Sequence, residues 1–247
     1  MTGKPVRPHP TLDRYYPTDE DRSEFVSDMF DEGARSYEWV CWVMSLGTGA
    51  QYRAQALRNA GLAKGMKVLD VATGTGLVLR PADELSGAQK LAIGLDPSRG
   101  MLRECRKRSS APLVQARGES LPFPDQHFDM VSMGYGLRHV SDLHGLFCEY
   151  RRVLKPGGRL LLLEITQPKS AAGRQFNRLF LGNLVPGIAR ILKGAEAGRM
   201  MHYFWDTVRY CVPPDQIVAS LGGAGFDSPS RTVMGGILSE FVATRPS

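Results

Sequence analysis

The sequence predicts an α/β fold of the Rossmann-like, doubly wound kind. Its mainly parallel seven-stranded sheet carries an antiparallel C-terminal edge, N-terminal helices and a helical lid. Three observations predict it. Short apolar runs alternate with helical stretches from Lys67 to Ile165, the rhythm of a parallel sheet covered by helices on both faces. The first run, Val68-Leu-Asp-Val-Ala-Thr-Gly-Thr-Gly76, passes through an acid into a glycine turn. Twenty residues after Gly76, Asp96 closes the second run. A glycine turn that lets a cofactor approach the backbone, followed by an acid that can grip a ribose, is nucleotide-cofactor geometry.

Residues 1–21 hold four prolines and no periodicity, and read as a flexible arm. From Arg22 to Ala60 the pattern is helical, with Phe25, Met29 and Phe30 at helical spacing and a dense apolar stretch from Trp39 to Leu46. Strand one is Lys67–Val71, and Pro81 should bend or shorten the first turns of the helix after it. Strand two is Leu91–Leu95, followed by a helix over 98–108 that Ser98 can N-cap. Pro112–Gln115 and Phe128–Met133 are strands three and four. A helix over 141–154 stops at Lys155-Pro-Gly-Gly158, and Arg159–Ile165, almost wholly apolar, reads as a strand covered on both faces. Segment 167–210 breaks the rhythm. After it come a helix over 214–222 and two runs, 228–234 and 237–244, that can pair as an edge hairpin. One domain therefore spans 22–247: a helical cap (22–60), a cofactor-binding core (61–166), a lid (167–210) and a C-terminal helix with edge strands (211–247).

Composition narrows the class. No apolar run approaches the roughly 20 residues of a membrane span. The N-terminus has no apolar signal region. Cys41, Cys105, Cys148 and Cys211 are scattered, without metal-ligand pairs or a disulfide framework, which suits reduced thiols in a cytoplasmic protein. No metal is expected. The net charge of +6 is uneven: segment 167–210 carries seven Lys/Arg against Glu196 and Asp206 while rich in Leu, Ile, Phe, Met and Trp. That mixture suits a lid over a hydrophobic acceptor, with a peripheral contact to an anionic membrane surface within its reach. A homodimer is compatible with the sequence.

The cofactor can be read further. A dinucleotide site wants a third glycine, but the turn continues Gly74-Thr-Gly-Leu-Val-Leu79. S-adenosylmethionine (SAM) has no pyrophosphate to seat. Asp70, Thr73, Gly74, Thr75 and Gly76 can form its turn. Asp96 can take the ribose hydroxyls, Pro97 and Met101 the adenine face, and the end of strand three contributes Glu119. Each piece alone also fits an ordinary strand-to-helix turn; the ordered set does not.

Several stretches carry a resemblance: Val68–Gly76, Gly94-Leu-Asp-Pro-Ser98, Gly118-Glu-Ser-Leu-Pro-Phe-Pro124, Phe128-Asp129, Gly136-Leu-Arg138 and Val153-Leu-Lys-Pro-Gly-Gly158. In this order they resemble class I SAM-dependent methyltransferases. More narrowly the chain is similar to the UbiE/MenG-type family, the C-methyltransferases of ubiquinone and menaquinone biosynthesis. The likeness covers about residues 24–230, including Met29-Phe-Asp31, Tyr37-Glu38, Tyr52-Arg53, Val208-Arg209 and Pro214-Asp-Gln216. It implies Thr75 at the turn, Asp96 on the ribose, Arg117 and Gly118 near adenine, Gly134 by the methionine end, and Tyr37 closing over the cofactor. Arg117 stands where many relatives have Asp or Asn, and His139 and Cys41 where the family has Asn. Gly235-Gly-Ile-Leu-Ser-Glu-Phe241 replaces its Gly-Val-Val-Ala-x-His pattern. These departures cluster where an acceptor would lie.

Methyl transfer from a sulfonium is a direct displacement, so alignment contributes most. A phenolic ring carbon becomes nucleophilic when its hydroxyl gives up a proton, which calls for a base. His139, in the loop after strand four, is the first candidate. Arg138 can stabilise a phenolate, Tyr135 and His202 are secondary, and Glu164 can orient one of them. O- or N-methylation of a secondary metabolite is the alternative, and a SAM-binding protein without chemistry is more remote. A nucleic-acid enzyme is disfavoured, because Ser132-Met-Gly-Tyr-Gly-Leu-Arg138 stands where a base-flipping enzyme carries Asn/Asp-Pro-Pro-Tyr, and no Pro-Cys nucleophile is present.

Overall fold

A computed structural model describes residues 6–45, 47–87 and 90–247; Leu46 of the apolar stretch lies outside them. Its centre is a sheet of seven strands in the order β3-β2-β1-β4-β5-β7-β6. β1 (Val68–Val71), β2 (Ala92–Asp96), β3 (Leu113–Gln115), β4 (Phe128–Gly134) and β5 (Leu154–Ile165) are parallel. β6 (Asp227–Met234) and β7 (Leu238–Thr244) form the expected hairpin, and β7 runs antiparallel to β5. Every residue of β1 is buried, as helices on both faces require. β5 starts earlier than expected, at Leu154, and its pairing with β4 shifts register between Phe128 and Met130 as it takes in the Pro-Gly-Gly turn.

Helices α3 (Leu79–Ser86), α4 (Arg99–Arg106), α5 (Leu143–Val153) and α9 (Pro214–Gly223) cover the sheet. Pro81 falls in the first turn of α3, where its missing N–H costs nothing. Ser98 caps α4 by accepting from the Met101 N–H. The topological switch lies between β1 and β4, whose chains leave toward β2 and β5 respectively, so a crevice opens at their carboxyl ends.

Helices from the N-terminal segment lie over that crevice. α1 (Asp19–Met44) crosses it, and α2 (Gly49–Asn59) follows. Asp31 holds α1 down: its carboxylate accepts from Ser98 Oγ and from the Gly100 N–H, the latter at 2.8 Å. Glu38 pairs with Arg80 and Arg108 at 3.4 and 3.1 Å. Segment 167–210, expected as the lid, is built of α6 (Ala171–Leu179), a π segment (Phe180–Leu184), α7 (Val185–Lys193) and α8 (Ala195–Tyr210), and lines neither of the cavities described below. Pro186 cannot donate and would press on the carbonyl four residues back, and the helix widens just there. Gly182 lets Trp205 of α8 pack on the widened turn, since a Cβ there would lie 2.9 Å from the indole nitrogen.

Residues 6–18, expected as a flexible arm, are instead packed. Leu12 and Tyr16 are buried in the core shared by α1, α7 and α8. Tyr15 donates to Asp206 at 2.7 Å, and the Val6 N–H to Asp142 at 2.8 Å. Three anchors (Leu12, Tyr15, Tyr16) suffice, although the prolines hide them from any periodicity.

Gly100 tests how tightly α1 is docked. A Cβ there would lie 2.7 Å from the Asp31 carbonyl oxygen and 2.8 Å from its Cα, both backbone atoms. Gly100→Ala should lower stability by about 1–3 kcal/mol, the usual cost of overpacking, and urea midpoints with an unchanged slope would measure it. A neutral substitution would mean that α1 is not seated as described.

Candidate active site

The glycine turn is held by two buried aspartates. Asp70, inside β1, accepts from Thr73 Oγ1 at 2.6 Å and from Ser132 Oγ of β4 at 2.7 Å. Asp96, at the end of β2, accepts from the Gly74 N–H at 2.8 Å and the Ser98 N–H at 2.9 Å. Gly74 and Gly76 have φ of 55° and 87°, a region that glycine enters without penalty. Burial, only partly offset by these hydrogen bonds, pushes Asp70 up to about 7 and Asp96 up to about 6.

Two cavities meet at this turn, sharing Ala72. The smaller, about 20 Å³, is lined by Tyr37, Arg53, Asp70, Thr73, Gly74, Gly134 and Tyr135 among others. The larger, about 590 Å³, lies in the size range of small-molecule sites, roughly 300–1,000 Å³. Its walls include Val71, Pro97, Arg117, Gly118, Glu119 and His139, with Glu24 and Asp28 of α1 opposite. Gly118 keeps this wall open, since its Cβ would crowd Leu146 and Val71 at 2.9 and 3.0 Å. Ala72 and Tyr135, at the ends of β1 and β4, both adopt left-handed backbone, φ 52° and 62°. Such strain persists only where the surroundings impose it.

Most expected cofactor residues thus converge on the crevice. Tyr37 reaches over the turn: its ring lies 4.0 Å from where a Gly74 Cβ would sit. Met101 does not line the larger cavity; its sulfur occupies the same 4.0 Å distance from Gly74. Thr75 is buried with its hydroxyl unpartnered among the described residues, as is Arg53 Nε. Arg53, not among the residues expected from the sequence, also lines the smaller cavity. Its only signal was the Tyr52-Arg53 pair shared with the family pattern. A guanidinium and a carboxyl facing one small cavity, with orphaned donors beside a glycine turn, match the charges of the zwitterionic end of SAM, although the cavity as it stands has room for about one water and would have to widen to admit it. In the larger cavity, Pro97, Arg117, Gly118 and Glu119 offer the mixed apolar and polar surface a nucleoside needs, and His139 lines the same space.

The expected chemical residues divide. His139 lines the larger cavity, T-shaped against Phe30 and stacked on Tyr203 at ring-centroid distances of 5.1 and 5.5 Å. Burial, then the charges of Arg138, His9 and Arg22, hold its pKa well below 6.5, so it is a neutral imidazole at neutral pH. Tyr135 lines the smaller cavity. Arg138 lines neither. Fully buried, it donates to Glu164 Oε1 at 2.8 Å and Thr207 Oγ1 at 2.7 Å, and its guanidinium lies 4.3 Å from the Phe204 ring centroid. It joins the sheet to α8 and is not aimed at an acceptor. His202 is also displaced: its neighbour Tyr203 meets His139, and successive helix residues point about 100° apart. Glu164 orients Arg138, and neither of the two histidines.

A mainly parallel sheet with this strand order, a crevice at its switch point and an acid ending β2 are the features of a class I SAM-dependent methyltransferase. The sequence model of the ubiE/COQ5 methyltransferase family matches residues 18–245, and the chain belongs to that family. Among its relatives, the ubiquinone/menaquinone biosynthesis C-methyltransferase UbiE of Shewanella sediminis is 30% identical over 222 residues, 87% of this chain and 88% of the relative. The protein of the same name from Pseudoalteromonas translucida is 29% identical over 228 residues, 89% and 90% of the two chains. Solved structures share the fold. A SAM-dependent methyltransferase from Thermotoga maritima aligns with TM-score 0.64 at 20% identity, covering 89% of this chain and 99% of its own. Phosphoethanolamine N-methyltransferase 2 of Haemonchus contortus, solved with SAM, aligns with TM-score 0.63 at 16% identity, covering 92% of this chain and 59% of its own.

Two outcomes follow from the buried charges. Arg138→Ala would strand Glu164 in the core, and should cost about 3–5 kcal/mol in denaturant unfolding; a loss under 1 kcal/mol would refute the bridging role. Asp70 and Asp96 are raised above the unfolded value of 3.8, so their stabilising contribution is complete below pH 4 and is lost as pH rises through 6 and 7. His9, lowered from 6.5 to about 4, acts oppositely, its contribution being lost as pH falls through that window. Melting curves would mix the two. Carboxyl-carbon NMR separates them: two aspartates should titrate near pH 6 and 7 without cofactor, and move to lower pH when the cationic cofactor is added. Aspartates all titrating below pH 5 would contradict the burial argument.

Proposed function

We propose that this methyltransferase C-methylates a quinol- or phenol-like ring borne on a hydrophobic molecule, in the cytoplasm and against the membrane that holds such acceptors. The observation that carries the reading is the neutral His139 on the wall of the larger cavity. The turn from Gly136 to His139 abuts Ala72, the residue both cavities share: a Cβ on Gly136 would lie 2.6 Å from that of Ala72. That proximity supports His139 as the group to which a ring hydroxyl would give up its proton. The rings of Phe30 and Tyr203 pack on His139 and hold its imidazole in place.

When bound, SAM supplies an electrophilic methyl group on a sulfonium. The chain's own residues do the rest. Asp70 and Arg53 would hold the charged amino-acid end, with Thr73, Thr75 and the backbone of Gly74, Gly76 and Gly134 around it. Asp96 would take the ribose. Pro97, Arg117, Gly118 and Glu119 would frame the adenine, while Met101 supports the turn from below and Tyr37 shuts it from water. His139 would accept the acceptor's proton; as a neutral base of low pKa it is ready throughout the physiological range but only weakly basic. The positive charges of Arg138 and Arg22 near it favour a phenolate there.

His139→Ala should lower kcat by about 10²–10⁴-fold, the usual worth of a general base, with SAM affinity by calorimetry nearly unchanged. The parent's kcat should stay level from pH 8 to below 6.5, because the imidazole remains neutral. Equal turnover by mutant and parent would remove His139 as base. Asp96→Ala should instead weaken SAM binding by tenfold or more, and unchanged affinity would sink the ribose assignment. Labelled SAM offered with short-chain demethylquinols, phenols and amines, followed by product mass analysis, decides the atom: a methyl on oxygen or nitrogen would overturn C-methylation.

A further inference from the structure

The lid has an outer face that the reaction does not use. From Ile165 to Ala195 the chain contains Lys169, Arg174, Arg178, Arg190 and Lys193 and not one Asp or Glu. On the same stretch Phe176, Leu179, Leu184, Ile191 and Leu192 are exposed, at 64%, 55%, 52%, 82% and 62%. α1 adds a sixth. Lys193 at the end of α7 sits 5.3 Å from the Trp39 ring, and Trp42, one helical turn further, is 63% exposed. Phe176 stacks on Phe180 with ring centroids 5.8 Å apart, so the apolar side chains are partly held in place. Large apolar patches on a soluble surface mark interaction sites.

The geometry points to an anionic lipid bilayer as the partner of this face: the α6–α7 helices and the end of α1 rest on it, apolar side chains among the acyl chains and basic ones among the headgroup charges. Charge complementarity selects this occupant. A second copy of the chain would bring one acid-free basic face against another, and like charges opposed across an interface are disfavoured. A peripheral helix with Lys/Arg around Trp, Phe and Leu is the composition of interfacial binding. Continuity with the site supports it. α7 packs along α8, whose Tyr203 stacks on His139, so this face lies one helix layer from the proposed base. The inference deepens the hydrophobic-acceptor reading above, since such an acceptor would reach the site from the layer on which the lid rests.

Full-length protein without cofactor, mixed with phosphatidylcholine vesicles containing a quarter phosphatidylglycerol at low salt, should co-sediment. Its tryptophan emission should shift to the blue as Trp42 leaves water. Partition should fall at least tenfold on pure phosphatidylcholine or at high salt, since each basic residue at an anionic surface is worth roughly fivefold. Ile191→Ser with Leu192→Gln should lower partition about tenfold or more, and Arg178→Gln with Arg190→Gln several-fold. Both double variants should keep the parent's melting temperature, SAM affinity and turnover of a short-chain acceptor, as these side chains are exposed. Three results would each overturn the proposal: no co-sedimentation at low salt, partition indifferent to these variants, or a dimer in sedimentation velocity that the Ile191/Leu192 variant dissolves. Vesicle binding without methylation of any quinol or phenol would sink the acceptor reading and leave the surface. Methylation of a short-chain quinol without vesicle binding would do the reverse.

Discussion

The Arg138–Glu164 ion pair is the constraint on which the site is built. Both side chains are fully buried, 2.8 Å apart. Removing two charges from water costs several kcal/mol per ion, and their attraction does not reliably exceed that cost. The pair is therefore poor evidence for stability, and its value lies in geometry. Arg138 follows β4, Glu164 closes β5, and Thr207 and Phe204 belong to α8. A flexible aliphatic contact could join the three elements but would not fix their rotation. A planar guanidinium with directional donors does. The turn carrying Tyr135 and His139, and the lid helix that carries Tyr203, are held in one register by a single side chain.

A second constraint works beside it. Asp70 and Asp96 are kept in a dry turn although burial raises both pKa values. Their acceptors are spent on backbone N–H groups and hydroxyls of the turn, of the Ser98 cap and of Ser132 in β4, which preorganises the crevice before any cation arrives. A sulfonium and an ammonium entering there would restore the ionised forms, so the groups that are least comfortable in the empty crevice are the ones whose charge matches the cofactor. α1 joins this arrangement through Asp31, whose carboxylate caps the N-terminus of α4 immediately after Asp96-Pro97-Ser98. α1 and the turn that closes β2 therefore share one anchor.

These constraints explain what could be read in advance. The strands, the glycine turn, the Ser98 cap and the terminal hairpin depend on neighbours a few residues away, and their periodicity or turn chemistry is written locally. What escaped depends on distance or direction. The N-terminal segment is seated by contacts to Asp142 and Asp206, separations of 136 and 191 residues. Arg138 and His139 are adjacent in one short turn, yet one points into the core and the other into the cavity. His202 and Tyr203 differ only by one helical step. Arg53 enters the crevice from a helix that ends before β1 begins, and the left-handed backbone at Ala72 and Tyr135 has no glycine to announce it. The residue types that chemistry needs were legible, whereas side-chain direction was set by packing.

The lid shows how one helical segment can serve two solvents. Its inner side supplies Leu181, Val185, Ala189, Met200 and Tyr203 to a buried core, while its outer side leaves comparably large apolar groups in water. Stability alone would favour the reverse assignment of those outer positions, since each exposed Leu or Ile forgoes about 1.5–3 kcal/mol of burial. An acid-free run of basic residues laid among them is equally unhelpful to folding, because the charges repel one another. Both oddities disappear if the outer side is completed by an anionic, apolar layer. Gly182 and Gly198 then acquire a common purpose. By letting Trp205 pack on the π segment and the backbone and Cβ of Arg190 approach α8 at close range, they join the π segment and α7 firmly to α8, so that whatever the outer face rests on is mechanically one piece with the helix whose Tyr203 stacks on His139.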